Sequence, residues 1–202
     1  MVTQTTPVRI GVLGTHSTGK TTLLKRIEME LRGHGLTVAR TGRLAKRAAA
    51  IGLPKMQRHT EVSTEWIIVQ GVADELAAVA QGAQVVLADR AALDALAYYC
   101  AALEFREEQL DGLESERLRL LVATQTAKYD LLLSTELDPD MPVDPSHDYD
   151  PHYRFLVDRH VHALLDDDRI AHQPVTSDPD SHRRAIDQVL EFCLAKAAAR
   201  TP

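Results

Sequence analysis

Two kinds of hydrophobic pattern alternate along the chain. Short apolar runs predict five β-strands, at 8–13, 36–41, 84–88, 129–134 and 169–172. Longer segments, in which apolar residues recur every three or four positions, predict α-helices at 22–31, 43–51, 61–80, 93–105, 107–128, 153–165 and 181–199. Because strands and helices alternate with short breaks, the sequence predicts an α/β fold with a largely parallel sheet and helices on both faces.

The segment between the first strand and the first helix carries a complete phosphate-loop pattern: Gly14, four residues, then Gly19-Lys20-Thr21. The glycines permit a tight turn in which backbone N–H groups face a polyphosphate, and the helix N-terminus adds its positive dipole. Lys20 supplies a charge for the β- and γ-phosphates, and the Thr21 hydroxyl is a ligand for Mg²⁺. Since strand, loop and helix come in the required order, we prefer this interpretation to a chance glycine-rich turn. The residues predicted to bind the nucleotide are Gly14, Thr15, His16, Ser17, Thr18, Gly19, Lys20, Thr21 and Thr22.

A second motif ends the third predicted strand, where Asp89 is followed by Arg90. In an open α/β sheet, ligands bind at the carboxyl ends of the strands. We therefore expect Asp89 to hold Mg²⁺ or its water and Arg90 to neutralise phosphate charge during transfer. The alternative for Asp89 is an ordinary helix cap. Asp94 and Tyr98 follow in the next helix, either facing the same cleft or serving as surface and core residues.

Composition bounds the class of protein. The chain has 202 residues, 45% of them hydrophobic and 26% charged, which suits one domain spanning 1–202. No apolar run reaches membrane-spanning length, and residues 1–7 lack the features of a secretory signal, so we expect a cytoplasmic protein. The net charge of −6 gives no general reason to bind nucleic acid. Basic residues between 40 and 58 form either a local patch or a solvated helix face.

These motifs also carry a family resemblance. The phosphate loop at 14–22, together with Asp89-Arg90, Asp94 and Tyr98, resembles the small AAA-type P-loop domains that include nicotinamide riboside kinase-like proteins. The resemblance implies a five-stranded parallel sheet of order 2-3-1-4-5. It further implies ATP with Mg²⁺ as phosphoryl donor and a small, nucleoside-like acceptor with a hydroxyl group.

One position departs from that family. Such domains often carry Glu, a small residue and Arg near the end of the second strand, where this chain has Thr41-Gly42-Arg43. A threonine hydroxyl cannot act as a general base near neutral pH. Either Asp89 takes that role, or the acceptor differs from the family norm, or catalysis has been lost. Arg43 remains a predicted ligand of the substrate.

A loop rich in proline and aspartate occupies 138–151, with four prolines and five aspartates. It belongs to a lid-like insertion at about 136–160, where related kinases carry a lid. Closure of such a lid would bring Arg154 or Arg159 to the transferred phosphate. The alternative is a plain solvated loop. Four histidines between 147 and 162 are predicted to lie on the surface and not to bind metal.

We expect the acceptor between the lid and the helices that follow the second and third strands. Candidate ligands there are polar or charged side chains: Arg43, Glu65, Gln70 and Asp94. Trp66 either stacks on a ring of the acceptor or belongs to the core.

Missing motifs narrow the choice among P-loop proteins. The chain contains no asparagine, which excludes the Asn-Lys-x-Asp guanine signature and the asparagine that motor ATPases carry after the fourth strand. The sequence therefore favours an ATP- and Mg²⁺-dependent kinase that acts on a small molecule. A homodimer is compatible with this function. A regulatory nucleotide-binding ATPase is the alternative that Thr41 favours. A nucleic-acid kinase is a third, with the basic patch as its sole support.

Overall fold

The computed structural model describes residues 6–109, 111–140 and 150–199. Its centre is a parallel sheet in which β1 lies between β3 and β4, in the order β2-β3-β1-β4-β5. The predicted strand order is thus confirmed. The strands are β1 (Val8–Leu13), β2 (Val38–Thr41), β3 (Val85–Asp89), β4 (Leu131–Thr135) and β5 (Gln173–Val175).

Helices cover both faces of the sheet, as predicted. One hydrophobic cluster joins the sheet to α1 and α7, and a second joins it to the helices α2 to α6. None of the helices in the described ranges is long and apolar enough to cross a membrane. The helices are α1 (Lys20–Gly33), α2 (Leu44–Ala50), α3 (Glu61–Ala80), α4 (Ala92–Phe105), α5 (Gly112–Thr126), α6 (Pro151–Asp167) and α7 (Pro179–Ala198), with a short 3₁₀ turn at Met56–Arg58.

Side-chain caps explain where several helices begin. The Thr60 hydroxyl accepts a hydrogen bond from the Ser63 N–H, and the Thr60 N–H donates one to the Ser63 hydroxyl, which forms a capping box for α3. The carboxylates of Asp111, Asp150 and Asp178 cap α5, α6 and α7 by accepting hydrogen bonds from backbone N–H groups of the first turn. The predicted start of α5 at 107 was therefore wrong. Residues up to 108 close α4, since the Glu108 N–H donates to the Leu103 carbonyl.

The fifth strand was also predicted in the wrong place. Residues 169 and 170 complete the end of α6, because Arg169 has a left-handed φ of 51° and the Ile170 N–H donates to the Leu165 carbonyl. Ile170 then packs against the core. The strand itself contains Pro174, which is tolerated because β5 lies at the edge of the sheet and pairs with β4 alone.

The strand register brings the candidate motifs together. In the pairing of β1 with β3, Val12 lies opposite Asp89, and in that of β1 with β4, Leu13 lies opposite Ser134. The loop after β1 therefore leaves the sheet between the ends of β3 and β4. All strands being parallel, every carboxyl end faces the same edge, where an α/β sheet binds its ligands.

Candidate functional site

The phosphate loop has a backbone that requires glycine at its first position. Gly14 has a φ of 131°, and a Cβ atom built there would lie 2.2 Å from the Thr135 hydroxyl oxygen and 2.7 Å from the Thr135 carbonyl oxygen. Gly19 has a φ of 81° at the start of α1. Any side chain at Gly14 would thus be strained and would push the loop away from β4.

Side chains from two other elements hold this loop in place. The Asp94 carboxylate, on α4, accepts a hydrogen bond of 2.9 Å from the Gly14 N–H. Thr135, at the end of β4, donates from its hydroxyl to the Leu13 carbonyl and lies 2.6 Å from the Thr18 hydroxyl. In the sequence, Thr135 was noted only because no asparagine follows the fourth strand. In the structure, its hydroxyl helps to hold the phosphate loop against the end of β4.

Lys20 is buried within the loop, with 5% of its surface exposed. Its ammonium group donates to the Thr15 carbonyl and, over 3.1 Å, to the Thr18 hydroxyl. Burial, together with the nearby Arg90, lowers the pKa of Lys20, although Asp94 opposes this effect. Desolvation thus disfavours the charged form of Lys20 in the loop as it stands. A bound polyphosphate would stabilise that charge.

Two oxygen groups lie side by side at the edge of the loop. The Thr21 hydroxyl donates to an Asp89 carboxylate oxygen over 3.1 Å. Gly42 makes this placement possible, because a Cβ atom there would lie 2.8 Å from the Asp89 Cβ. A hydroxyl and a carboxylate are hard oxygen ligands that suit Mg²⁺, which usually takes few ligands from protein and the rest from phosphates and water. The residues present therefore fit this ion.

Arg90, Asp94 and Tyr98 are brought together next to the loop. Arg90 has a left-handed φ of 77°, and its guanidinium carbon lies 4.8 Å from the centre of the Tyr98 ring. Asp94 is 1% exposed, and its burial raises its pKa despite the attraction of Lys20 and Arg90. Neither residue lies on the surface: Asp94 binds the loop, and Tyr98 belongs to the hydrophobic core while its ring faces Arg90.

Arg154 lies behind the loop and is 2% exposed. Its guanidinium group donates to the carbonyl oxygens of His16, over 3.2 Å, and of Ser17, over 3.1 Å. The Thr15 hydroxyl in turn donates to the Arg154 carbonyl. Arg154 is therefore built into the loop's support. Arg159 pairs with Glu104 on the surface, and most of the proline-rich loop, at 141–149, lies outside the described residues.

Two predicted acceptor ligands are not brought to the site. Glu65 forms an ion pair with Arg117 of α5, which also binds Glu61. Gln70 donates to Asp74, one turn later on the same helix, over 2.8 Å. Neither side chain lines the hollows beside the phosphate loop.

The first of these hollows is an apolar cavity, which we call the acceptor cavity after the role that is proposed for it below. It has a volume of about 50 Å³ and lies between α2, α3 and α4. Arg90, Asp94 and Tyr98 line it on the side of the phosphate loop, and His59 lines it as well. His59 was not predicted as a site residue, because its position between the 3₁₀ turn and the cap of α3 carries no motif. The cavity is otherwise lined mainly by apolar side chains, among them Leu44, Met56, Ile67, Ile68, Ala92 and Ala95.

The second hollow is a basic groove of about 440 Å³ that shares Thr41 and Arg90 with the acceptor cavity. Asp89 and Thr21 lie at its edge. Its cationic side chains are Lys25, Arg40, Arg43, Lys46 and Arg90. Arg43 is thus beside the candidate magnesium ligands, as expected of a residue that contacts phosphate or substrate.

Comparison with known proteins supports the assignment of the fold. A family model described as an AAA domain matches residues 9–184. The crystal structure of a NadR protein in complex with NR has a TM-score of 0.67 to this chain, at 17% sequence identity. That match covers 94% of this chain and 52% of the NadR chain, so this chain spans about half of that protein's length. None of the curated proteins gives a significant match.

Proposed function

The chain belongs to the AAA domain family, and from this premise we propose that it is an ATP- and Mg²⁺-dependent kinase. The acceptor would be a hydroxyl group of a small, nucleoside-like molecule. One observation carries the proposal: a cavity adjoins the phosphate loop, and Asp94 both binds the Gly14 N–H of the loop and lines that cavity. An enzyme that passes phosphate only to water needs no such cavity, whereas a kinase must hold its acceptor there.

The phosphate loop would bind the ATP polyphosphate through its backbone N–H groups and Lys20. Thr21 and Asp89 would hold Mg²⁺, which, when bound, neutralises charge on the phosphates. Arg90 lies between the loop and the acceptor cavity, where a fixed cation stabilises the charge of the transferred group. Arg154 would act as a positioning residue, because its guanidinium group binds the carbonyls of the loop.

Asp89 is also the residue we propose to orient the acceptor hydroxyl. Thr41 ends β2 where related domains have an acid, and it lies opposite Ala88, next to Asp89, in the paired strands. The close approach of Gly42 places this carboxylate at the same edge. Phosphoryl transfer with a loose transition state requires little proton removal before the bond to phosphorus forms, so one carboxylate can serve both purposes.

A second candidate function is a regulatory nucleotide-binding ATPase, which the absence of an acid at Thr41 favours. A third candidate function is a kinase that acts on nucleic acid. The cations of the basic groove favour it, because they would attract a polyanion. Neither accounts for a small apolar cavity beside Asp94.

The test is to incubate the protein with ATP, Mg²⁺ and a panel of nucleosides and related alcohols, and to look for an added phosphate by mass spectrometry. We expect the mass of one class of acceptor to rise by roughly 80 units, because a phosphoryl group replaces a proton. Stoichiometric ATP binding with no phosphorylated product across the panel would favour the regulatory ATPase. Phosphorylation of an oligonucleotide alone would favour the nucleic-acid kinase.

A further inference from the structure

Three buried polar side chains line the acceptor cavity with atoms that have no hydrogen-bond partner among the described residues. They are His59, 3% exposed, at both ring nitrogens, Asp94, 1% exposed, at the carboxylate oxygen that does not bind the Gly14 N–H, and Tyr98 at its hydroxyl, next to Arg90. Burying such atoms without partners lowers stability, and native proteins seldom do so without a functional reason. His59 and Asp94 belong to the same cavity, so one bound molecule can satisfy both.

His59 is held firmly in this position. Arg106, at the end of α4, donates hydrogen bonds to the carbonyl oxygens of Gln57 and His59. The His59 ring meets the Tyr98 ring edge to face, with 6.3 Å between the ring centres. The imidazole is therefore preorganised, and a ligand that binds it need not pay to order it.

The charged groups that line the cavity offset one another, so none is left as a counter-charge for an ionic ligand. Of its two carboxyl groups, Glu75 binds the Tyr129 hydroxyl and the Gln125 amide and lies 3.9 Å from Arg9. Burial also raises the pKa of Glu75. The other, Asp94, already faces Lys20 and Arg90. A cationic ring would be attracted by Asp94 but repelled by Arg90, an anion would meet the reverse, and either ion would lose its water among apolar side chains.

His59 itself carries no charge at neutral pH. Burial and the nearby Arg90 and Arg106 lower the pKa of His59 to about 4. A neutral imidazole has one N–H donor and one nitrogen acceptor. It therefore matches a neutral group that both donates and accepts, such as an amide, a hydroxyl or the edge of a heterocycle.

We infer that the acceptor cavity takes the uncharged, hydrogen-bonding end of the acceptor, and that His59 is the residue that selects it. A donor group of that end binds the unpartnered Asp94 oxygen, and the hydroxyl that receives the phosphate lies at the edge of the basic groove, where Asp89 orients it. A volume of about 50 Å³ exceeds the roughly 10–15 Å³ that one water needs, so the cavity holds a group of a few heavy atoms, and the rest of the acceptor extends into the basic groove. This inference rests on the proposed function and names the substrate class: neutral alcohols, in preference to cationic or anionic ones.

The test compares three probes whose rings differ in charge and whose hydroxyls are free: adenosine, which is neutral, nicotinamide riboside, which is cationic, and orotidine, which is anionic; further uncharged nucleosides extend the first class. His59→Phe removes both hydrogen bonds and keeps a ring, whereas His59→Asn keeps a donor and an acceptor. His34→Phe, at an exposed histidine after α1, is the control. Thermal melting of each variant establishes that it is folded.

We expect transfer to a neutral probe, with His59→Phe lowering kcat/KM for that probe roughly tenfold or more, mainly through its KM. His59→Asn should retain more activity than His59→Phe, and the affinity for ATP should stay the same in both. Preference for a charged probe, or equal kcat/KM in His59→Phe and wild type, would overturn the inference while leaving the kinase in place.

Titration calorimetry in the presence of a non-hydrolysable ATP analogue separates the two proposals if no probe is phosphorylated. Binding of a neutral probe that His59→Phe weakens would support the acceptor cavity and contradict the kinase. Binding of none of the neutral probes would overturn the inference itself.

Discussion

The phosphate loop and the acceptor cavity adjoin each other, yet they differ in how far their polar groups are hydrogen-bonded within the protein. In the loop, Gly14, Thr18 and Lys20 already have hydrogen-bond partners within the protein. In the cavity, His59 and Asp94 keep atoms without a partner among the described residues. The polar groups of the loop are therefore satisfied within the protein, whereas those of the cavity would be satisfied by the acceptor that we propose. On that proposal, the loop would supply the chemistry of phosphoryl transfer and the cavity would select the acceptor.

Charge separates the two regions further. The loop and the basic groove beside it gather cations near the edge of the sheet, while the acceptor cavity is mostly apolar. Arg90 and Asp94 lie where the regions meet. A change in the loop should therefore affect every substrate, and a change in the cavity should affect the acceptor alone.

The largest expected effect is that of Lys20→Ala. Loss of one preorganised, buried cation should slow transfer by about 10²–10³-fold, or about 2.7–4 kcal/mol. Single-turnover kinetics with saturating ATP measure it. Lys25→Ala, which removes an exposed cation of the basic groove, is the control and should cost far less. Equal effects of the two substitutions would remove the distinction between loop and groove.

Asp89→Asn should also stop transfer, but by a different route. The substitution preserves the shape of the side chain and removes the charge that we assign to Mg²⁺ and to the acceptor hydroxyl. We expect a loss of about 10²-fold or more in transfer, with ATP still bound. Fluorescent-nucleotide titration beside the transfer assay measures both. Unchanged transfer would exclude Asp89 from the mechanism.

Gly14→Ala tests whether the loop is a rigid frame. The new methyl group would collide with the Thr135 backbone at a φ that alanine avoids, so unfolding should cost roughly 2 kcal/mol less and ATP binding should weaken. Gly33→Ala, where a Cβ atom meets nothing within 4 Å, should change stability by less than about 1 kcal/mol. Chemical denaturation compares them. A loop that tolerates both equally is not held as the structure shows.

The smallest effect concerns protons. Burial lowers the pKa of Lys20 in the free protein, and polyphosphate should raise it again, so ATP binding above neutral pH should take up a fraction of a proton. The same lowered pKa means that the free protein gains stability as the pH rises from the folded pKa towards the unfolded one. Calorimetry in two buffers of different ionisation enthalpy detects the uptake. Lys20→Met should abolish it, and identical heats for wild type in both buffers would contradict the account.

How far the sequence predicts the molecule follows from how local each feature is. The phosphate loop is one run of eight residues between a strand and a helix, and its pattern predicted its place correctly. The fifth strand was misplaced because Ile170 packs against the core from the end of α6, which local hydrophobicity cannot distinguish from a strand. A tertiary contact decided that case.

The acceptor cavity is the opposite extreme. His59, Asp94 and Leu44 come from three separate segments, so no short pattern announces them. Glu65 was proposed as a ligand from its place on α3, yet its partner Arg117 lies 52 residues away. Long-range pairing of this kind depends on how helices pack, so the spacing of residues within one helix does not predict it.

The proposed kinase activity depends on where the γ-phosphate of ATP goes. ATP labelled with heavy oxygen in that group can be followed by mass spectrometry in single turnovers with Mg²⁺ and the neutral acceptor panel. We expect the label on an acceptor hydroxyl in wild type and His34→Phe, and much less of it there in His59→Phe while ATP stays bound. Label found only in inorganic phosphate, or remaining in ATP, would contradict it.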